Sequence, residues 1–141
     1  MIALASDHAG FELKEAIKKH LLDNNYDIID MGTNSKNSCD YPIFAKKAAH
    51  AVATGQCEKG IVCCGTGIGV SIVANKVKGI RCALCTSEFT AEMAKRHNNA
   101  NMVAFGARVS ETEDVLRMVD VWLNAQFEEG RHQRRIDMME D

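Results

Sequence analysis

The chain has 141 residues, 46% of them hydrophobic and 26% charged, which fits one domain around one core and excludes a disordered or fibrous protein. Seventeen basic and nineteen acidic side chains leave a net charge of -2, so the chain has no bulk attraction for nucleic acid or an anionic membrane. An anionic ligand would have to be held by a local group of cations.

The start, MIALASDHAG, lacks a basic region ahead of its apolar run and meets an acid at Asp7, unlike a secretory signal. The uncharged stretch from Gly60 to Asn75 is broken by glycines and is too short to cross a bilayer. Both features predict a cytoplasmic protein whose six cysteines are free thiols.

In chain order, IALAS (2–6) predicts a strand, and Phe11 to Leu22 a helix with Leu13, Ala16, Ile17 and Leu21 on one face. YDIIDMG (26–32) predicts a second strand, and Asp40, Tyr41 and Pro42 open a helix that runs to about Thr54. Gly60 to Cys64 is an apolar run of the buried-strand type, Ser71 to Lys76 reads as helix, and RCALC (81–85) as a fourth strand. Glu88 to His97 predicts a helix and NMVAFG (101–106) a fifth strand. Ser110 and Glu113 have capping-box spacing ahead of a helix carrying Val115, Met118, Val119, Trp122 and Leu123. The tail, about 128–141, is too charged for a core helix and is expected to reach toward a neighbouring subunit as a helical extension.

Strand-helix alternation over the whole length predicts a single α/β domain, 1–141. Its expected form is a three-layer, Rossmann-like sandwich, with a five-stranded parallel sheet, strands buried on both faces and helices on both sides. Ligands of such sheets bind beyond the carboxyl ends of the strands.

The most informative segment is CGTGIG (64–69), where a strand turns through glycines into a helix. The amides of Gly65, Thr66, Gly67, Ile68 and Gly69 would point outward together and bind an oxyanion or phosphate. The competing reading is that these glycines only let helix and strand pack closely. The spacing GxGxG departs from the dinucleotide fingerprint, and no acid stands where a ribose would need one. Cys64 lies where a strand meets a helix N-terminus, a place that favours thiolate and so a base or nucleophile. Cys63 should face the opposite side of the strand, as a core residue. No arginine follows either cysteine at the distance a cysteine phosphatase uses. Cys82 and Cys85 have CxxC spacing but should project to opposite faces, and no second pair would complete a metal site.

Asp7 and His8 follow the first strand, His97 and Asn98 close a helix, and Arg108 follows the fifth strand; all are expected where strand ends gather. Each histidine also reads as an ordinary surface or cap residue. Arg131 and Arg135, four apart, would share one helix face, either as a clamp for a dianion or as a solvated basic stripe. Tyr41 would line a pocket or simply pack at a helix start. His20 and His50 read as helix-surface residues without a role.

SDHAG (6–10), DYP (40–42), CGTGIG (64–69), RHNNAN (96–101), FGAR (105–108) and GRHQRR (130–135) together closely resemble the type B ribose-5-phosphate isomerases, end to end. The related galactose-6-phosphate isomerase subunits share the fold and glycine loop, but typically lack a histidine like His97 and an arginine tail like this one. The resemblance implies an aldose-ketose isomerase of the non-oxidative pentose phosphate pathway, interconverting ribose 5-phosphate and ribulose 5-phosphate. It implies Cys64 as the base at C1 and C2, His97 as the acid/base that opens the furanose ring, and Asp7 and Thr66 as residues handling hydroxyl protons. The amides of Gly65 to Gly69 would hold the enediolate; His8, Arg108, Arg131 and Arg135 would bind phosphate, and Tyr41 and Asn98 the sugar. It further implies no metal or other cofactor, and a dimer or tetramer whose sites are completed across the interface. A hexose 6-phosphate such as allose or galactose 6-phosphate is the alternative substrate. A nucleotide-binding module and a thiol-redox protein are the readings from other classes.

Overall fold

The computed structural model describes residues 1–140. The strands are β1 (Ile2–Ser6), β2 (Ile28–Asp30), β3 (Lys59–Cys64), β4 (Cys82–Leu84) and β5 (Met102–Gly106). The helices are α1 (Phe11–Asp23), α2 (Tyr41–Ala53), α3 (Ile68–Asn75), α4 (Glu88–Arg96), α5 (Thr112–Asn124) and α6 (Arg131–Ile136). All strand pairs are parallel, in the order β2-β1-β3-β5-β4.

Side chains of the inner strands alternate between two cores, as strand geometry requires. Leu4, Ile61, Cys63, Val103 and Phe105 face α1, α4 and α5. Ala3, Ala5, Val62, Cys64, Met102 and Ala104 face α2 and α3. Cys63 and Cys64 therefore part to opposite faces, and so do Cys85 and Cys82. Ala45, Ala48, Ala49 and Ala74 dominate the helical side of the second core, so those helix backbones come close to the sheet. Burial on both faces holds for the inner strands, whereas the three-residue edge strands β2 and β4 are only partly covered.

Two helix signals resolve differently from expectation. Ser110 donates its backbone N–H to Gly106 in the turn leaving β5, so α5 begins only at Thr112, capped by Glu111 without a side-chain bond. The capping box belongs instead to α4, where Ser87 and Thr90 bond each other's backbone N–H groups. Lys14, unremarked in the sequence, is 1% exposed and runs under α1 to Asp30, with Nζ 2.8 and 2.7 Å from the two carboxylate oxygens. His20, assigned no role, joins α1 to α5 through Asp120 at 2.7 Å.

The tail is docked on its own chain rather than projecting freely. Glu128 N–H bonds Arg96 O, His132 and Ile136 of α6 are buried, and Glu140 accepts from Gly79 N–H.

Candidate active site

The strand order reverses direction between β1 and β3, and a doubly wound sheet opens a crevice at that point. A cleft of about 570 Å³ lies there, lined by Asp7, His8, Tyr41, Cys64, Thr66 and Arg108 together with Gly65, Ile68 and Gly69. One carboxyl edge of the sheet thus assembles residues from four separate loops and helix starts, as the strand-end rule predicts.

The glycine turn is built by two close approaches. Gly67 has φ +81°, in the left-handed region, and a Cβ there would meet Leu84 at 2.6 Å. Gly106 lies under the turn, where a Cβ would come within 2.5 Å of the Thr66 carbonyl. These contacts pack the turn against β5, as the close-packing reading expects, and the turn brings the amides of Gly65 to Gly69 to the cleft. One of those amides, Gly67 N–H, donates to Cys64 Sγ at 3.1 Å.

The other groups of this edge are held with free valences. Asp7 is 7% exposed and uses one carboxylate oxygen to accept from Gly10 N–H at 3.0 Å. Thr66 Oγ1 accepts from Ile68 N–H at 3.2 Å, which leaves its own proton to donate. His8 Nδ1 accepts from Cys39 N–H at 3.2 Å, so the neutral ring carries its proton on Nε2. Tyr41 lies with its ring against Gly69, and the Arg108 guanidinium lies over Gly65. Three of the remaining cysteines are poorly suited to chemistry. Burial pushes the Cys63 and Cys82 thiols up, out of reach of ionisation near neutrality, and Cys85 up to about 12.

His97 and Asn98 are not part of this cleft, and their expected position at the strand ends is corrected. They close α4, which runs back against the strands, and so lie at the amino edge ahead of β5. Asn101 O accepts from Gly60 N–H at the start of the β3–β5 pairing, whereas Cys64 pairs with Gly106 at its end. Five residues of strand separate the two edges by roughly 16 Å. Arg131 and Arg135 also lie away from the cleft, on α6. Both are exposed, and neither has a side-chain partner among the described residues.

The amino edge has its own organisation. A second cleft, about 370 Å³, is lined by Asn75, Arg81, Asn98 and Met139 among others. The Arg81 guanidinium holds the Asn98 and Asn99 carbonyls, both at 2.9 Å. Lys59, Arg81 and Lys95 make this edge electropositive; burial, followed by repulsion from the other two, lowers the Lys95 pKa. His97 stacks on His132, and the donor atoms of His97, Glu128 and His132 lie within 4.8 Å of one another. Their ring planes differ by only 11°, so the imidazole lone pairs run side by side instead of converging on an ion. His132 and Glu128 were not singled out in the sequence, although the tail's mixture of acids and bases one turn apart was a signal for them.

The family model for the ribose/galactose isomerases matches residues 2–139, and the chain belongs to that family. It is 46% identical to ribose-5-phosphate isomerase B of Escherichia coli over 136 residues, 96% of this chain and 91% of that protein. Among solved structures, a Clostridium thermocellum ribose-5-phosphate isomerase B superimposes with TM-score 0.96 at 48% identity, covering 96% of this chain and 92% of that one. The Mycoplasma genitalium enzyme, solved with bound ribulose 5-phosphate, gives 0.93 at 44% identity, covering 96% and 91%.

Proposed function

We propose that this chain interconverts D-ribose 5-phosphate and D-ribulose 5-phosphate, with Cys64 as the base of the carboxyl-edge cleft. The observation that carries the reading is the Cys64 sulfur at the junction of β1 and β3, with Gly67 N–H aimed at it from 3.1 Å. Aldose-ketose isomerisation needs one base that reaches both C1 and C2, and donors for the oxygen on which charge develops. Cys64 takes the C2 proton of the open-chain aldose, and the C2–H electron pair moves to give the enediolate. The Cys64 thiol, whose proton can exchange with solvent while the enediolate lasts, then protonates C1 to yield the ketose. Negative charge on the sulfur is met by Gly67 N–H, and charge on the enediolate by the remaining amides of the turn, those of Gly65, Thr66 and Gly69. Thr66 and Asp7 move the hydroxyl protons of C1 and C2, one as a donor with a free proton and the other as a buried acceptor with a free oxygen.

The phosphate is a handle remote from the chemistry, so binding energy gained there can orient the sugar. His8, presenting Nε2–H, and Arg108 serve it from the carboxyl edge, beside Tyr41 as a sugar contact. His97 as ring opener, Asn98 as sugar contact, and Arg131 and Arg135 as phosphate ligands belong to the other edge of the sheet. They can join Cys64 only from a second copy of the chain, so the working form is a homo-oligomer with shared sites. Ile68 and Ile72, 51% and 54% exposed on one face of α3 beside the cleft, supply apolar surface for that second copy.

The test is to incubate the protein with ribose 5-phosphate in EDTA and follow ketose formation by proton NMR, with allose 6-phosphate in parallel. Ribulose 5-phosphate should form, faster than any ketohexose phosphate. Turnover of the hexose phosphate alone, or none with either, would overturn the reading.

A further inference from the structure

The amino edge holds a group that the isomerisation scheme does not account for. His97 is stacked on His132 with centroids 4.3 Å apart and planes 11° apart. The His132 side chain is 9% exposed, and its Nε2 has no hydrogen-bond partner among the described residues. The nearest oxygen is Glu128 Oε1, 3.4 Å from His132 Nε2 and 3.8 Å from His97 Nε2. Glu128 is itself anchored: its Oε2 accepts from Arg96 Nε at 2.7 Å and lies 2.6 Å from Arg96 Nη2, and its backbone N–H bonds Arg96 O. Arg96, first by its hydrogen bond, holds the Glu128 carboxyl below the ordinary carboxylate range, so the oxygen facing the two rings is charged.

These contacts constrain one side chain in two directions. The buried ring gives His97 a flat face that fixes the plane of its imidazole. The anchored carboxylate lies 3.8 Å from its Nε2, beyond hydrogen-bond distance, and by its charge favours the ring rotation that turns Nε2 toward it. His97 is 40% exposed, so these contacts limit the rotamers that its solvent-facing edge would otherwise allow. An acid/base group must be held close to its productive geometry to transfer a proton efficiently.

We propose that His132 and the Arg96-anchored Glu128 are positioning residues for His97, so that a segment of the tail prepares ring opening. This rests on His97 being the ring-opening group proposed above. The pair acts on the cyclic substrate only. Ribulose 5-phosphate has its C5 hydroxyl esterified and cannot close a five-membered ring, so exchange of its C1 hydrogen with deuterated solvent needs the enediolate step but not His97.

The experiment compares net conversion of ribose 5-phosphate with C1 exchange in ribulose 5-phosphate, in EDTA, for His97→Asn, Glu128→Gln, His132→Ala and His132→Phe. His97→Asn should lower net conversion by about a hundredfold or more and spare exchange. Glu128→Gln and His132→Ala should each lower net conversion about tenfold, again sparing exchange, and His132→Phe, which keeps a ring to stack on, should recover part of the loss. Equal losses in the two reactions for Glu128→Gln and His132→Ala, or wild-type conversion in both variants, would overturn the positioning role while leaving His97 intact. If His97→Asn itself affects both reactions equally, the assignment of His97 fails and the positioning role falls with it. Should His132→Ala fail to fold, Glu128→Gln, an isosteric change on a partly exposed carboxylate, carries the same comparison.

Discussion

Neighbouring cysteines on one strand provide a controlled perturbation, because Cys63 and Cys64 are both buried yet face different surroundings. Cys64→Ala removes the proposed base and the acceptor of Gly67 N–H. Loss of a positioned acid/base group costs about 10²- to 10⁴-fold in rate, or roughly 3–5 kcal/mol of barrier. The structural cost is smaller: one sulfur at the floor of an open cleft and one weak hydrogen bond, together about 1 kcal/mol. Cys63→Ala removes a sulfur that is 1% exposed in the core shared by Leu4, Leu13 and Phe105. That should cost about 1–2 kcal/mol of stability through the cavity left behind, or roughly 4 °C of Tm per kcal/mol, while turnover stays within about threefold of wild type. Initial rates on ribose 5-phosphate, thermal melts and size-exclusion profiles of the two variants separate the effects. Equal loss of activity in both, or wild-type turnover in Cys64→Ala, would refute the assignment of Cys64 as base.

Replacing Arg131 or Arg135 by alanine should weaken phosphosugar binding by about tenfold or more, since each charge-assisted hydrogen bond is worth ~1.5–3 kcal/mol; titration of a phosphosugar by calorimetry reads this directly. Burial alone would raise the Asp30 pKa, but the hydrogen bonds from Lys14, from Gly32 N–H and from Lys18 outweigh it and hold the carboxyl below its ordinary value. A carboxyl depressed in the folded state contributes stability that is present above its unfolded pKa and lost as pH falls through the folded one. Denaturant midpoints should therefore drop below about pH 4. Asp30→Asn should remove part of that acid dependence and cost about 1–3 kcal/mol at neutral pH, because the buried Lys14 ammonium keeps only the Glu15 carboxylate, at 3.1 Å, as a charged partner. Unchanged midpoints at neutral pH in Asp30→Asn would contradict the buried pair.

The succession of strands and helices was legible because each apolar run had the length and period of its element. So was the carboxyl-edge half of the site, since loops that follow parallel strands must share an edge. His97 was misplaced because that rule covers residues after a strand, whereas His97 ends a helix that has already returned to the far side. The false capping box at Ser110 arose because the turn after β5 uses the Ser110 amide before the helix begins. The true one at Ser87 was hidden because Thr90, not an acid, returns the second bond. The roles of Lys14, Glu128 and His132 were missed for a different reason. A charge pattern records which residues can ionise, but burial of Lys14 under α1 and of His132 where the tail docks on the domain depends on contacts made far along the chain.

The central claim is that Cys64 of one chain works with His97 of another. Cys64→Ala and His97→Asn proteins, each impaired alone, are mixed under conditions where mass spectrometry shows subunit exchange, and isomerisation of ribose 5-phosphate is measured. In a shared-site dimer each mixed pair contains one site with both residues intact, so random exchange should restore about a quarter of wild-type activity. If subunits exchange and activity stays at the sum of the two parents, Cys64 and His97 do not meet across an interface and the two-edge account is wrong.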